Sequence, residues 1–188
     1  MRPPTAEDTT EACVLAGFEP LSAECWPRPG EDGSPPPLGG FVGSDFSPMV
    51  AAAADRCLAP VYGPVEADRP ARRTALVLAS AGGDLQTYTA TARLVTAGRR
   101  PSPLLFFQSV PNAVLGQVAR CWGLTGPVIC LSPDQGRRPL AEALEVAGWL
   151  TATGSATEAL LLVVDQVLPS GAPGTVQALL VRPTGHPA

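Results

Sequence analysis

Four short, continuously apolar runs constrain the fold most: residues 74–79 (TALVLA), 128–131 (VICL), 158–164 (EALLLVV) and 175–181 (TVQALLV). A strand with one face in water alternates apolar and polar residues; a strand covered on both faces reads as an unbroken apolar run. Stretches of helical period lie between the runs. Over residues 48–58, Met49, Val50, Ala53, Cys57 and Leu58 form one stripe, and Pro48 suits a first turn. Asp84 is placed to cap a helix that runs to Thr96 and ends at Gly98. Leu104, Leu105, Phe106 and Phe107 make an apolar turn or helix start, and a helix of small residues follows over roughly 112–122. Over residues 139–151, Leu140, Ala143, Leu144, Ala147 and Leu150 share one face, with Glu142 and Glu145 off it.

A fifth run, residues 12–16 (ACVLA), ends at Gly17 and reads as a first buried strand. The next stretch, about 20–47, is rich in proline and glycine (Pro27, Pro29, Gly30, Gly33, Pro35, Pro36, Pro37, Gly39, Gly40) and sustains neither a helix nor a central strand. It is expected to be a long loop, open to partial mobility. Residues 171–174 give the last two runs hairpin geometry. The order is β-loop-α-β-α-α-β-α-β-β within one domain of residues 1–188. That order predicts an α/β fold, a mixed five-stranded sheet with helices on both faces.

Composition excludes several classes. Hydrophobic residues make up 45%, too many for a disordered chain, and the net charge of −4 argues against a nucleic-acid partner. The longest apolar run, 159–164, is too short to span a bilayer. The first ten residues are polar and acidic, so no signal peptide is visible and the cytoplasm is the expected compartment. The five cysteines are scattered, without a CxxC pair, and the single histidine is His186. Neither a metal site nor a cofactor is expected, and buried free thiols are the plain reading.

The run at 128–131 stops at Ser132-Pro133-Asp134-Gln135 before a new helix. Many α/β enzymes set a nucleophile on such an elbow; here it carries glutamine. Ser80, Cys130 and Ser132 are nucleophiles only beside a base, and His186 sits in a Pro/Gly tail. Gly82-Gly83 before a helix could cradle a phosphate, although a tight turn explains it as well and no P-loop or GxGxxG pattern is present. Arg99-Arg100 and Arg137-Arg138 suit solvated faces or an acidic partner. The residues alone describe a non-catalytic α/β domain.

The segment from Gly98 to Pro127, with Pro111-Asn112, Gly116-Gln117 and Gly123-Leu124-Thr125-Gly126-Pro127, resembles the region of β-ketoacyl synthases that leads to the active-site cysteine. The runs ACVLAGFEPLS, LVLASAGGDLQT and EALLLVVDQVLP are similar to further strands of that family. The resemblance implies a thiolase-like fold, of which this chain has length for the N-terminal half. Eight residues past Pro127, where the family has its nucleophilic cysteine, stands Gln135, preceded by Asp134. That pattern resembles chain length factors, the non-condensing partners of type II polyketide ketosynthases, and most of all the short forms in reducing, polyene-type systems. The family's catalytic histidines and lysine lie in the second half; this sequence has no lysine. No catalytic residue is therefore expected.

The resemblance implies a full-length ketosynthase as partner, in a heterodimer or heterotetramer, and an acyl carrier protein reached through it. No nucleic acid or membrane is implied. Phe106, Phe107, Gln108 and Val110 would line or close the acyl tunnel. Asn112, Val128, Ile129, Cys130 and Leu131 would form the dimer interface. The rival readings are a stand-alone homodimeric module that binds an acyl ligand or carrier protein, and a remnant with a purely structural role.

Overall fold

The computed structural model describes residues 6–65, 70–134, 138–166 and 174–185. Five strands form one sheet: β1 (Phe18–Trp26), β2 (Thr74–Ala79), β3 (Val128–Leu131), β4 (Glu158–Asp165) and β5 (Thr175–Pro183), in the order β1-β5-β4-β2-β3. β2 runs parallel to both β3 and β4, while β5 is antiparallel to β4 and β1. The helices are α1 (Ala6–Leu15), α2 (Phe46–Tyr62), α3 (Leu85–Thr96), α4 (Pro103–Gln108), α5 (Asn112–Trp122) and α6 (Pro139–Ala152).

The unbroken apolar runs have the cause inferred for them. Leu76, Leu78, Leu160 and Leu162 point into a core shared with Phe46, Met49 and Leu58 of α2 and with Val114, Leu115 and Trp122 of α5. The alternate residues Ala75, Val77, Ala159 and Leu161 point the other way, against Ala143, Leu144, Ala147 and Leu150 of α6. Every residue of β2 is buried. Each fully buried leucine contributes about 1.5–3 kcal/mol, so the helices are held by the sheet more than by their own propensity.

Two expectations are corrected at the N-terminus. Residues 12–15 belong to helix α1, not to a strand. Cys13 is fully buried while Val14 and Leu15 are 59% and 81% exposed, the one-sided burial of a helix. A five-residue apolar run does not distinguish the two states by period; Gly17, at φ 81°, does end the element. The first strand lies further on and takes the opening of the expected 20–47 loop. β1 tolerates Pro20 because it is a sheet edge with β5 as its one partner, with an irregularity between Pro20 and Ser22. The irregular segment is therefore 27–45, and it is tied down. Arg56 makes a two-point contact to Glu31, both bonds 3.0 Å, and stacks 4.3 Å over the Trp26 ring.

The Gly-Leu-Thr-Gly-Pro turn zips alongside the approach to β2. The Arg72 N–H donates to the Gly123 carbonyl (2.9 Å), Thr125 N–H to that of Arg72 (2.8 Å), and Leu76 N–H to that of Pro127 (2.9 Å). Gly123 adopts the left-handed conformation that caps α5. Gly126 is needed for space: a Cβ there would lie 2.6 Å from the Ala75 nitrogen and closer still to the Thr74 carbonyl. Gly126→Ala should therefore push β3 off β2 and destabilise the fold by about 1–3 kcal/mol. Urea unfolding checks this; an unchanged midpoint would mean the turn has slack.

Candidate functional site

The three parallel strands end on one side of the sheet, where open α/β folds place their sites. Beyond β2, the Ser80–Asp84 turn closes on itself. Gly83 N–H donates to Ser80 Oγ (3.1 Å), Leu85 N–H to the Gly83 carbonyl (3.1 Å), and Thr87 N–H to Asp84 Oδ1 (2.9 Å). Gln86 N–H donates to Gln166 Oε1 (3.1 Å). The donors of this helix start are committed within the protein, so Gly82-Gly83 makes a tight turn, not an anion cradle.

Beyond β3, Pro133 is buried and Ser132 and Asp134 are exposed. Gln135 and Arg137 lie outside the described residues, as does His186. β3 itself is the outer strand of the sheet, with Val128 and Cys130 exposed and Ile129 and Leu131 half-buried against the α6 side. The Cys130 thiol donates to Asn112 Oδ1 at 2.9 Å, tying the edge strand to the start of α5. Desolvation by the groups around its sulfur pushes this thiol up to about 11, so it is protonated at neutral pH.

The α4–α5 corner leads into the same flank. α4 is inside out: Leu104, Phe106 and Phe107 are 44%, 75% and 59% exposed, Val110 just beyond it is 43% exposed, and its one buried residue is Gln108. The structure thus separates the four expected tunnel residues. Phe106, Phe107 and Val110 face outward, whereas Gln108 is turned into the protein and bonded to the chain's own backbone at Val42. Burial of an amide among aromatic neighbours has no signature in sequence periodicity over six residues.

A second polar cluster, unanticipated from sequence, sits at the opposite end of the sheet. Arg182 donates to Glu158 Oε1 (2.7 and 3.1 Å), the Tyr62 hydroxyl donates to Glu158 Oε2, and Arg72 stacks 4.1 Å over the Tyr62 ring. Burial, with Glu158 beside it, drives the Tyr62 phenol far above its usual range and keeps it neutral. This cluster clamps α2, β4 and β5 together, away from the elbow.

Residues 47–174 match the family described as beta-ketoacyl synthase, N-terminal domain. The chain belongs to that family. No curated protein matches the sequence. Among solved structures, "The ishigamide ketosynthase/chain length factor" is similar, with a TM-score of 0.66 and 23% identity over 85% of this chain and 49% of that one. The complex of the ketosynthase ApeO with its chain length factor ApeC from Xenorhabdus doucetiae gives a TM-score of 0.64 and 14% identity, covering 88% of this chain and 79% of that one. A beta-ketoacyl synthase from Burkholderia phymatum gives 0.56 and 15% identity, over 94% of this chain and 55% of that one. The chain thus has the thiolase-like ketosynthase fold, and spans about half the length of the first and third of these relatives. No helix among the described residues is long and apolar enough to cross a membrane.

Iodoacetamide labelling of Cys130, followed by mass spectrometry from pH 8 upward, should have its midpoint near pH 11. At pH 8 it should be about a hundredfold slower than an unperturbed thiol. A midpoint near 9 would mean that the strand edge is fully solvated.

Proposed function

We propose that this chain is a non-catalytic, chain-length-factor-like subunit that pairs with a full-length ketosynthase of a type II polyketide synthase of the reducing, polyene type. One observation carries the reading: an unguarded apolar sheet edge is tied by the Asn112–Cys130 bond to a corner of exposed aromatic residues. The two edges of the sheet differ in kind. β1 carries Glu19, Pro20, Glu24 and an irregularity, the usual protections against pairing with another chain. β3 has none of these. In a parallel ladder alternate residues bond to the neighbour, and Leu76 and Ser80 donate to the carbonyls of Pro127 and Leu131. The backbone groups of Val128 and Cys130 are thereby left for an outside strand, with their exposed side chains beside them.

Phe106, Phe107 and Val110 would then stand at the joint between the subunits, where an acyl tunnel of the partner ends. Gln135 at the nucleophile position, no lysine and one histidine at 186 support a role without condensation by these 188 residues. Two of the similar solved structures are a ketosynthase/chain length factor and a ketosynthase with its chain length factor. Self-pairing through β3, giving a homodimeric acyl- or carrier-binding module, is the second reading, because the same edge is self-complementary.

Co-expression with a full-length ketosynthase, followed by size-exclusion chromatography with mass analysis, should give a one-to-one complex. Val128→Lys, at a position already 39% exposed, should leave the fold intact and weaken that complex about a hundredfold or more. A homodimer indifferent to the ketosynthase would sink the heterodimer. Within the complex, Phe106→Ala or Phe107→Ala should shift products to longer chains; an unchanged distribution would make these residues interface packing only.

A further inference from the structure

We infer that Gln108 is the positioning residue of the α4 corner: its buried amide latches the helix that carries Phe106 and Phe107 to Val42, so segment 27–45 sets where those rings stand. α4 lacks the usual means of holding a helix in place. Leu104, Phe106 and Phe107 face out, Leu105 is only half-buried, and its one fully buried residue is polar, 2% exposed. That amide is nearly saturated. Oε1 accepts from the Val42 N–H at 3.0 Å, and Nε2 donates to the Val42 carbonyl and, at 3.5 Å, to Thr87 Oγ1. Both backbone groups of Val42 are thus bonded by one side chain, much as a neighbouring strand would bond them.

The amide on α4 takes its partners from two other stretches, the end of the Pro/Gly segment and α3. The next residues of the segment are held independently on α3. Ser44 Oγ donates to Asp84 Oδ1 (2.6 Å), and Asp45 N–H donates to Gln86 Oε1 (2.7 Å). Losing the Gln108 amide should therefore free α4 while residues 44 and 45 stay on α3. Hydrogen bonds are directional where apolar contacts are not, so a latch of this kind fixes the rotation of a six-residue helix that core packing does not grip.

The effect on products rests on the chain-length-factor reading; the latch itself does not. The test uses Gln108→Met, which keeps the volume and removes the hydrogen bonds, with Gln108→Ala as a second variant. Amide hydrogen exchange in the full chain should rise about tenfold or more at Val42, with β2, β4 and residues 44–45 unchanged. In the complex with the ketosynthase, products should shift in the same direction as with Phe107→Ala. Unchanged exchange at Val42 in both variants would overturn the latch. Faster exchange with unchanged products, while Phe107→Ala alters them, would overturn the positioning role. If Phe106→Ala and Phe107→Ala also leave products unchanged, the tunnel role of those rings fails and the exchange data alone decide the latch.

Discussion

The parallel pairing of β2 with both β3 and β4 is the constraint on which the rest of this chain depends. β2 is buried along its whole length, and its two neighbours take their register from it: Leu76 stands opposite Val128 on one side and Leu160 on the other. Because its side chains alternate between two cores, α2 and α5 on one face and α6 on the other are gripped through the same six residues. The Gly123–Pro127 turn delivers β3 to this ladder with no room for a Cβ at Gly126. What sits beyond the strand ends, and which edge is left open, follow from that arrangement.

An open edge is normally a hazard, and the molecule treats its two edges differently. At β1 proline, glutamates and an irregularity discourage any further strand. At β3 the strand is four residues long, apolar, and tied through Asn112 to α5, which follows a helix whose aromatic side chains face outward. Single exposed apolar residues are ordinary on protein surfaces; a run of them on one short helix whose buried side chain is an amide is the informative pattern. The inversion has a physical consequence: the corner forms without a core of its own and keeps its apolar surface free.

The architecture was largely legible because period and length agreed. β2 and β3 lie where the runs TALVLA and VICL fall, α5 spans 112–122 as read, and Asp84 caps α3 through the Thr87 N–H. The N-terminus was not legible. ACVLA is too short to betray its period, and Pro20 argued against a strand that its edge position permits. The orientations of the candidate residues were not legible. Phe106, Phe107 and Gln108 are adjacent letters, and only the tertiary partners Val42 and Thr87, 66 and 21 residues away, show that the amide turns in while the rings turn out.

That opposition explains why glutamine, and not leucine, suits position 108. A leucine there would bury more favourably by area, yet would hand both backbone groups of Val42, a residue 56% exposed, from one fixed side-chain partner to water. It would also leave α4 held by the half-buried Leu105 and its neighbours α3 and α5 alone, with no directional contact to key its rotation. The amide meets both requirements with one residue. The irregular backbone of segment 27–45 and the inverted surface of α4 are thus two halves of one solution: the segment needs a partner for its polar groups, and the helix needs an anchor that is not apolar.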